Sequence, residues 1–363
     1  GSAIAPAYIS EVSPAHLRGT LGAAFQLALN LGYLVVNAAG RSRPFVVEAD
    51  SVEFSDWRAL CLLGLAFAAV LSLMACMPES PAWLVRRGRT HQATMALRAL
   101  RRGDTSMEET AMSSILSETS RTETPGIEST RGASLSDCRR SLVVAVGLMA
   151  LQQLSGVNAV GMYTADICAK AGMGDGAASA MAIMAAQVCL TALSCLLVES
   201  AGRRSLLRFA MATMFAAHVG LSLCTMAQEH EMTPPPWIAL FFLCLYVAGY
   251  SLGMGPVPWI IVSEIFPVEA VGIASAISTA VGWTCAFVVC VGFRGLQDTL
   301  GANGAFLSFA LCCFLGHLFA TAFVPETRGK SLEQILSSMG GQGRSGATVG
   351  CAASVGVPGC EST

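Results

Sequence analysis

The chain has 363 residues, of which 53% are hydrophobic and only 13% charged, and its mean hydropathy is +0.58. That balance excludes an ordinary soluble globular domain and makes lipid the expected solvent. A formal net charge of −2 leaves no basic excess, so no nucleic-acid partner is expected.

In chain order, residues 1–12 carry no charge before Glu11 but are too few to cross a bilayer. They read as the end of a span that begins before Gly1. With no initial Met, no basic n-region and no cleavage signal, the chain reads as N-terminally incomplete. Eight uncharged intervals follow, at 19–40, 59–78, 141–165, 176–198, 209–228, 232–263, 270–293 and 299–325. Each supplies the roughly 20 residues a helix needs to cross a hydrocarbon layer of about 30 Å. Eight spans after the stub are therefore expected. Most of the 14 cysteines, Cys189, Cys195, Cys244, Cys285 and Cys312 among them, fall inside these intervals, and no C-x-x-C pair occurs. They read as small buried apolar residues, with no metal or cofactor expected.

Threading the intervals alternately collects 17 of the 22 Lys and Arg on one side, including Arg18, the run from Arg86 to Arg140, Arg203, Arg204, Arg208, Arg328 and Lys330. The other side holds Arg41, Arg43, Arg58, Lys170 and Arg294. The positive-inside rule assigns loop 86–140 and the C-terminus to the cytoplasm. Four regions are expected: a partial transmembrane bundle at 1–85, a cytoplasmic linker with short helices at 86–140, a second bundle at 141–325 and a tail at 326–363. In the linker a surface helix would turn Ala93, Met95, Ala96, Leu97 and Leu100 to one side. The Ser/Thr-rich stretch after it and the Gly-rich tail from Gly340 read as mobile.

The chain also repeats itself. "YISEVSPAHLRG" at 8–19 is echoed by "IVSEIFPVEAVG" at 261–272, and "PESP" at Pro78 by "PETRGKS" at Pro325. Two markers in one order imply two structural copies, as in transporters that hold substrate between halves. A Glu at a helix end can accept from the exposed N–H groups of a following helix and pair with Arg, so the markers could latch the copies together. Within the spans, carboxamides stand out at Gln26, Asn30, Gln152, Gln153, Asn158 and Gln187. Such groups are costly in lipid unless partnered, and serve either as glue between helices or as ligands for a solute. Gly156 can loosen the helix carrying "QQLSGVNA", and Pro256 and Pro258 should open another near Gly253 and Gly255. "GYSLG" at 249–253 matches a nucleophile elbow, but its place in an apolar helix favours close helix packing. No phosphate-binding loop is present, and the chain is not expected to be an enzyme.

"PAYISEVSPAHLRG", "PESPAWLVRRGR", "LQQLSGVNAVGMYT", "VESAGRRSL", "GPVPWIIVSEIFP" and "VPETRGKSLEQI" follow one another in the order of the sugar porter signatures, and from Ala5 to Ile335 the chain resembles that family of the major facilitator superfamily. The resemblance implies an all-α polytopic membrane fold. Its N-terminal bundle would be incomplete, holding the end of helix four with helices five and six, and its C-terminal bundle complete with helices seven to twelve. It implies alternating-access transport of a monosaccharide, a hexose such as glucose, as facilitator or proton symporter. Polyol transport and a non-transporting sugar sensor are the alternatives. By motif position, sugar contacts fall on Gln26, Gln152, Gln153, Asn158, Gln187 and Trp259, with Ser251 and Trp283 as further lining residues and Tyr163 as a gate. The charge latch would comprise Glu11, Arg18, Glu79, Glu199, Arg203, Arg204, Glu264 and Glu326. Four positions depart from the pattern: Ser251 where an acid or amide is common, Gly282 where Asn is, and Ala82 and Val271 where Arg is. The first two would alter sugar recognition and the last two thin the latch. The remaining expectations are a bilayer, a sugar or polyol and, for symport, protons as partners, a monomeric functional unit, and a multi-pass protein of the plasma membrane or an organelle. No Asp or Glu lies inside the eight intervals, which leans toward uniport. Without helices one to three, the isolated chain is expected not to transport.

Overall fold

The structure, a computed structural model, describes residues 4–14, 17–41, 46–49, 52–55, 57–101, 138–170, 175–232 and 234–330, with scattered positions between 109 and 116 and between 334 and 338. The Ser/Thr-rich linker stretch and the tail from Gly340 lie outside them.

Helix α1 (Ile4–Val12) is followed by α2 (Arg18–Arg41). A two-stranded antiparallel hairpin, β1 (Val46–Ala49) with β2 (Val52–Ser55), pairs Val46 with Ser55 and Ala49 with Val52, an addition to the all-helical expectation. Its alternating Val, Glu and Phe suit a short strand pair where the chain turns between two helices. Then come α3 (Trp57–Ser72), continued by a 3₁₀ turn to Cys76, α4 (Pro81–Arg86) and α5 (Thr90–Arg101). The second copy holds α6 (Arg139–Leu154), α7 (Val157–Lys170), α8 (Gly176–Ala201), α9 (Arg203–Glu229), α10 (Pro236–Gly249), α11 (Val257–Glu264) and α12 (Val268–Ala322).

Starts are marked by the residues that favour them. Asp175 accepts from the N–H groups of Ala177 and Ala178 at 3.0 Å, and Ser80 from Trp83 N–H at 3.3 Å with Pro81 as the first helical residue. Six helices among the described residues are long and apolar enough to cross a membrane. The longest, α12, leaves helical geometry at Gly301 (φ 73°, ψ 172°) and so carries two crossings. With only 16 residues, α3 reaches the required length through the turn that continues it.

The core sits where α6, α9, α11 and α12 meet, around Leu148, Met149, Leu207, Met211, Met214, Ile260, Ile261 and Ile265. Apolar side chains also cover the outside: Leu196, Phe287, Val291 and Leu311 are exposed. Helices apolar on both faces are what a bilayer selects. On the short helices, Leu84, Val85, Ala93 and Ala96 bury together, and Leu97 is also buried. Met95 is 54% exposed, correcting its expected place in that stripe: it lies about 200° around the helix from Ala93.

The sequence echo is a spatial one. Ser10 Oγ lies 3.4 Å from the carbonyl of Ser263, its counterpart 253 residues on. Counterparts of two copies meet only near the axis relating them, so α1 and α11 flank that axis. In the first copy Tyr8 donates to the Pro78 carbonyl at 2.8 Å; in the second Thr327 donates to Glu264 at 2.6 Å. Each copy thus ties its first marker to its second.

Candidate functional site

Two helices break where they face α2 and α8. In the first, α6 ends at Leu154, Gly156 takes φ +84°, and α7 resumes. In the second, α10 runs into a π-turn at Tyr250–Met254, where Gly255 N–H reaches back to Tyr250 O at 2.7 Å before Pro256 and Pro258 start α11. Between these breaks and α2 lies a cavity of about 580 Å³, inside the roughly 300–1,000 Å³ of small-molecule sites. Gln26, Asn30, Gln152, Gln153, Asn158, Gln187, Trp259 and Trp283 line it, so all six carboxamides singled out in the sequence and two indoles converge. None of the described lining residues is ionisable in the neutral range.

The carboxamides form linked chains. Gln26 donates to Asn30 Oδ1 at 3.1 Å, Asn30 to Thr191 Oγ1 at 2.9 Å, and Thr191 to the backbone carbonyl of Gln187 at 2.9 Å, joining α2 to α8. Asn158 donates to Gln153 Oε1 at 2.9 Å, and Gln153 Nε2 lies 3.5 Å from Gln152 Oε1. Gln152 Nε2 donates to both Met254 O (2.8 Å) and Gly255 O (2.9 Å), carbonyls stranded by the second break. Two carbonyl partners fix which amide atom is nitrogen, and they occupy both N–H groups. Only the Gln152 carbonyl oxygen remains for a ligand, so this residue is strut and lining at once.

Trp259 is 6% exposed, its ring meets Phe25 of α2 edge-on at 5.2 Å, and its buried indole N–H has no partner among the described residues. An unpaired donor beside a cavity is costly until a ligand oxygen accepts it. Trp283 is 47% exposed at the cavity wall. Ser251 is not brought to this site. Fully buried in the π-turn, it donates to Val247 O at 2.7 Å and is absent from the described lining. Its helical setting also removes the nucleophile elbow, while a Cβ on Gly253 would come within 2.5 Å of Leu206 O, the close packing expected of that motif. Gly282 faces Met149 instead of the cavity. The side chain of Tyr163, the expected gate, lies outside the described residues.

At the marker end a second cluster gathers on Arg203. Buried to 4% exposure, it pairs with Glu199 and Glu264 at 3.0 Å each. Glu264 takes Thr327, and Glu199 accepts the N–H of Gly19 from the first copy at 2.9 Å. A Cβ on Gly19 would lie 2.2 Å from Glu199 Oε1, so glycine permits this approach. Glu326 accepts from the backbone N–H groups of Arg203 (3.0 Å) and Arg204 (3.2 Å) at the start of α9. The carboxylate thus sits at the positive end of a helix that precedes it in the chain, not one that follows. Arg204 instead donates to Thr321 O. Glu79 accepts locally from Ser80 N–H at 3.1 Å, and Glu11 does not enter the Arg203 cluster among the described residues. The Arg18 side chain lies outside them, and Val271, buried at 6% exposure, belongs to the apolar core.

Tyr33 and Asn37 also line the cavity, continuing Gln26 and Asn30 at helical spacings that put all four on one face of α2. That spacing was available in the sequence. Thr191 and His218 carried no such signal.

The model of the "Sugar (and other) transporter" family matches residues 1–338. The chain is 34% identical over 348 residues to the facilitated trehalose transporter Tret1 of Drosophila willistoni, covering 93% of itself and 38% of that protein. It therefore spans about two-fifths of that relative's length. To the facilitated glucose transporter member 8 of solute carrier family 2 from Mus musculus it is 32% identical over 366 residues, covering 94% of itself and 71% of the relative. Among solved structures, the proton:xylose symporter XylE bound to 6-bromo-6-deoxy-D-glucose matches at 28% identity and a TM-score of 0.73, over 92% of this chain and 70% of that one. The inward open conformation of XylE from E. coli matches at 27% identity and 0.63, over 92% and 68%. With broken helices around a carboxamide-lined cavity and a family match along nearly its whole length, this chain belongs to the sugar porter family of the major facilitator superfamily.

Proposed function

We propose that this chain carries the substrate-binding half and the interface of a sugar carrier. A monosaccharide, a hexose such as glucose, would bind between the halves and be exposed alternately to each side of the membrane. One observation carries the reading: the cavity between the copies is walled by carboxamides, tyrosines and two tryptophans, with no charge among its described lining. A sugar is a neutral ring of hydroxyls with C–H faces. Groups that both donate and accept match the hydroxyls, and indoles cover the faces. Relatives that carry trehalose and glucose, and a xylose-carrying structural neighbour, support the same class. The uncharged lining favours facilitated diffusion; the proton-coupled neighbour supports symport as the second version. The marker end, closed here by Gly19, Glu199 and Arg203, is the cytoplasmic end in this reading. The greater likeness to sugar-bound than to inward open XylE agrees with that closure. We place the carrier in the plasma membrane, loop 86–140 and the C-terminus inside, with one polypeptide as the working unit.

The test is uptake of labelled D-glucose, D-xylose and trehalose into proteoliposomes holding the native full-length polypeptide that contains these residues, with and without a pH gradient. Saturable uptake of at least one sugar, indifferent to the gradient, is expected. No saturable uptake of any of them overturns the carrier reading, and acceleration by a proton gradient replaces the facilitator with the symporter. Gln153→Leu should raise KM about 5- to 100-fold, the loss of about 1–3 kcal/mol of polar contact.

A further inference from the structure

The first helix break strands the carbonyl of Ser155, because Gly156 turns out of helical geometry immediately after it. Two buried side chains from other helices meet that oxygen: His218 Nε2 of α9 at 2.9 Å and Tyr246 Oη of α10 at 3.3 Å. A carbonyl only accepts, so Nε2 carries the imidazole proton, and Nδ1 has no partner among the described residues. Around the imidazole stand Tyr246 at 4.7 Å, Phe309 at 5.6 Å and Phe306 at 6.1 Å between ring centres. Phe309 also abuts the break itself, 2.8 Å from where a Cβ on Gly156 would sit. An apolar side chain would fill such an aromatic cage at less cost than an imidazole with one nitrogen unpaired. What the imidazole adds is a donor at an oxygen the break has left without a helical partner.

His218 is fully buried and does not belong to the described cavity lining, whereas α7, which starts from the break, supplies Val157, Asn158, Val160, Gly161, Met162, Thr164 and Ala165 to it. Tyr246 belongs to both: it lines the cavity, bonds the Ser155 carbonyl and stacks on Tyr250 of the π-turn at 6.5 Å. We propose that His218 is a positioning residue for the substrate site: its N–H to the Ser155 carbonyl sets the direction in which α7 leaves the break. With Tyr246 it joins the break in the first helix to the break in the second, so neither can reorient alone. The substrate consequence rests on the carrier reading; the structural consequence does not.

The test is hydrogen–deuterium exchange on the purified native full-length polypeptide in detergent, comparing His218→Phe, His218→Gln and Tyr246→Phe. His218→Phe keeps an aromatic ring and deletes the donor. It should speed exchange about tenfold across residues 157–164, the equivalent of one buried hydrogen bond, and leave α8 and α12 within about twofold. His218→Gln, whose amide N–H reaches as far as Nε2, should restore most of the protection. Tyr246→Phe should give a smaller change in the same segment. Unchanged exchange at 157–164 in His218→Phe, or an increase spread evenly over all helices, overturns the proposal. Should His218→Phe fail to fold, Tyr246→Phe without a local change, or His218→Gln no better protected than an unfolded control, overturns it equally. Because exchange is read without sugar, a failure of uptake would leave this result standing.

Discussion

The break after Leu154 and the break between α10 and α11 face the same cavity but are built differently. One glycine in a left-handed conformation makes the first, and its stranded carbonyl is met by donors from two other helices. A π-turn followed by two prolines makes the second, and its carbonyls are met by Gln152 from α6 and by Ser194 from α8, which donates to Leu252 O at 2.7 Å. A glycine break depends on its surroundings, since the chain on either side can still form helix if the supports leave. A proline break is permanent, because the missing donors cannot be restored by any movement. The first break therefore rests on its tertiary supports, whereas the second is also written into its own sequence.

The largest blow to this contrast would be Gly156→Val. A β-branched residue at φ +84° carries about 1–3 kcal/mol of backbone strain, and the overlap with Phe309 adds about 1–3 kcal/mol. The expected outcome is a large fall in melting temperature in detergent, with sugar uptake abolished. Next comes Gln152→Leu, which leaves the carbonyls of Met254 and Gly255 unpaired. Each costs about 1–3 kcal/mol in a dry site, and water from the cavity should replace part of the loss, so about 2–4 kcal/mol is expected in a chemical-denaturation series. Ser194→Ala removes one support of the second break and should cost about 1 kcal/mol while leaving the sugar KM within about twofold. Pro258→Ala should matter least, at about 0.4–1 kcal/mol, because Met254 O, the acceptor a residue-258 N–H would reach in a continuous helix, is already met by Gln152, and the change mainly frees the unfolded chain. A Pro258→Ala variant that melts far lower than Gln152→Leu would show that the prolines, and not Gln152, hold the second break.

A second contrast lies at the marker end, where the second copy holds the charges and the first offers a backbone. Arg203, Glu199 and Glu264 belong to one copy, and what they grasp in the other is the N–H of Gly19. Arg203→Met should loosen closure of that end, read as greater labelling of a cysteine introduced at Ser10.

Much of this was legible from residue order alone. The eight apolar stretches, the duplicated markers and both break points follow from local chemistry: hydropathy over some 20 residues, glycine's freedom and proline's missing N–H. The convergence of six carboxamides was also readable, since each stood out against an apolar span. Their division of labour was not. Gln152 is held by carbonyls 102 and 103 residues away, Asn30 by a threonine 161 away, and Glu326 by a helix start 123 residues before it. Ser251 looked like a site residue because its position did, yet the π-turn rolled it into the protein. Met95 was misplaced for a smaller reason: five apolar residues in an eight-residue stretch do not share one stripe.

The sequence by itself determined that this chain lives in lipid, that it is two related halves, and where its helices must break, because each depends on the chemistry of neighbouring residues. Only the tertiary structure decided which amide supports a break and which one is left to face the cavity. A carboxamide has a fixed number of donors, and which partners consume them is set by helices that the chain brings together from a hundred residues away.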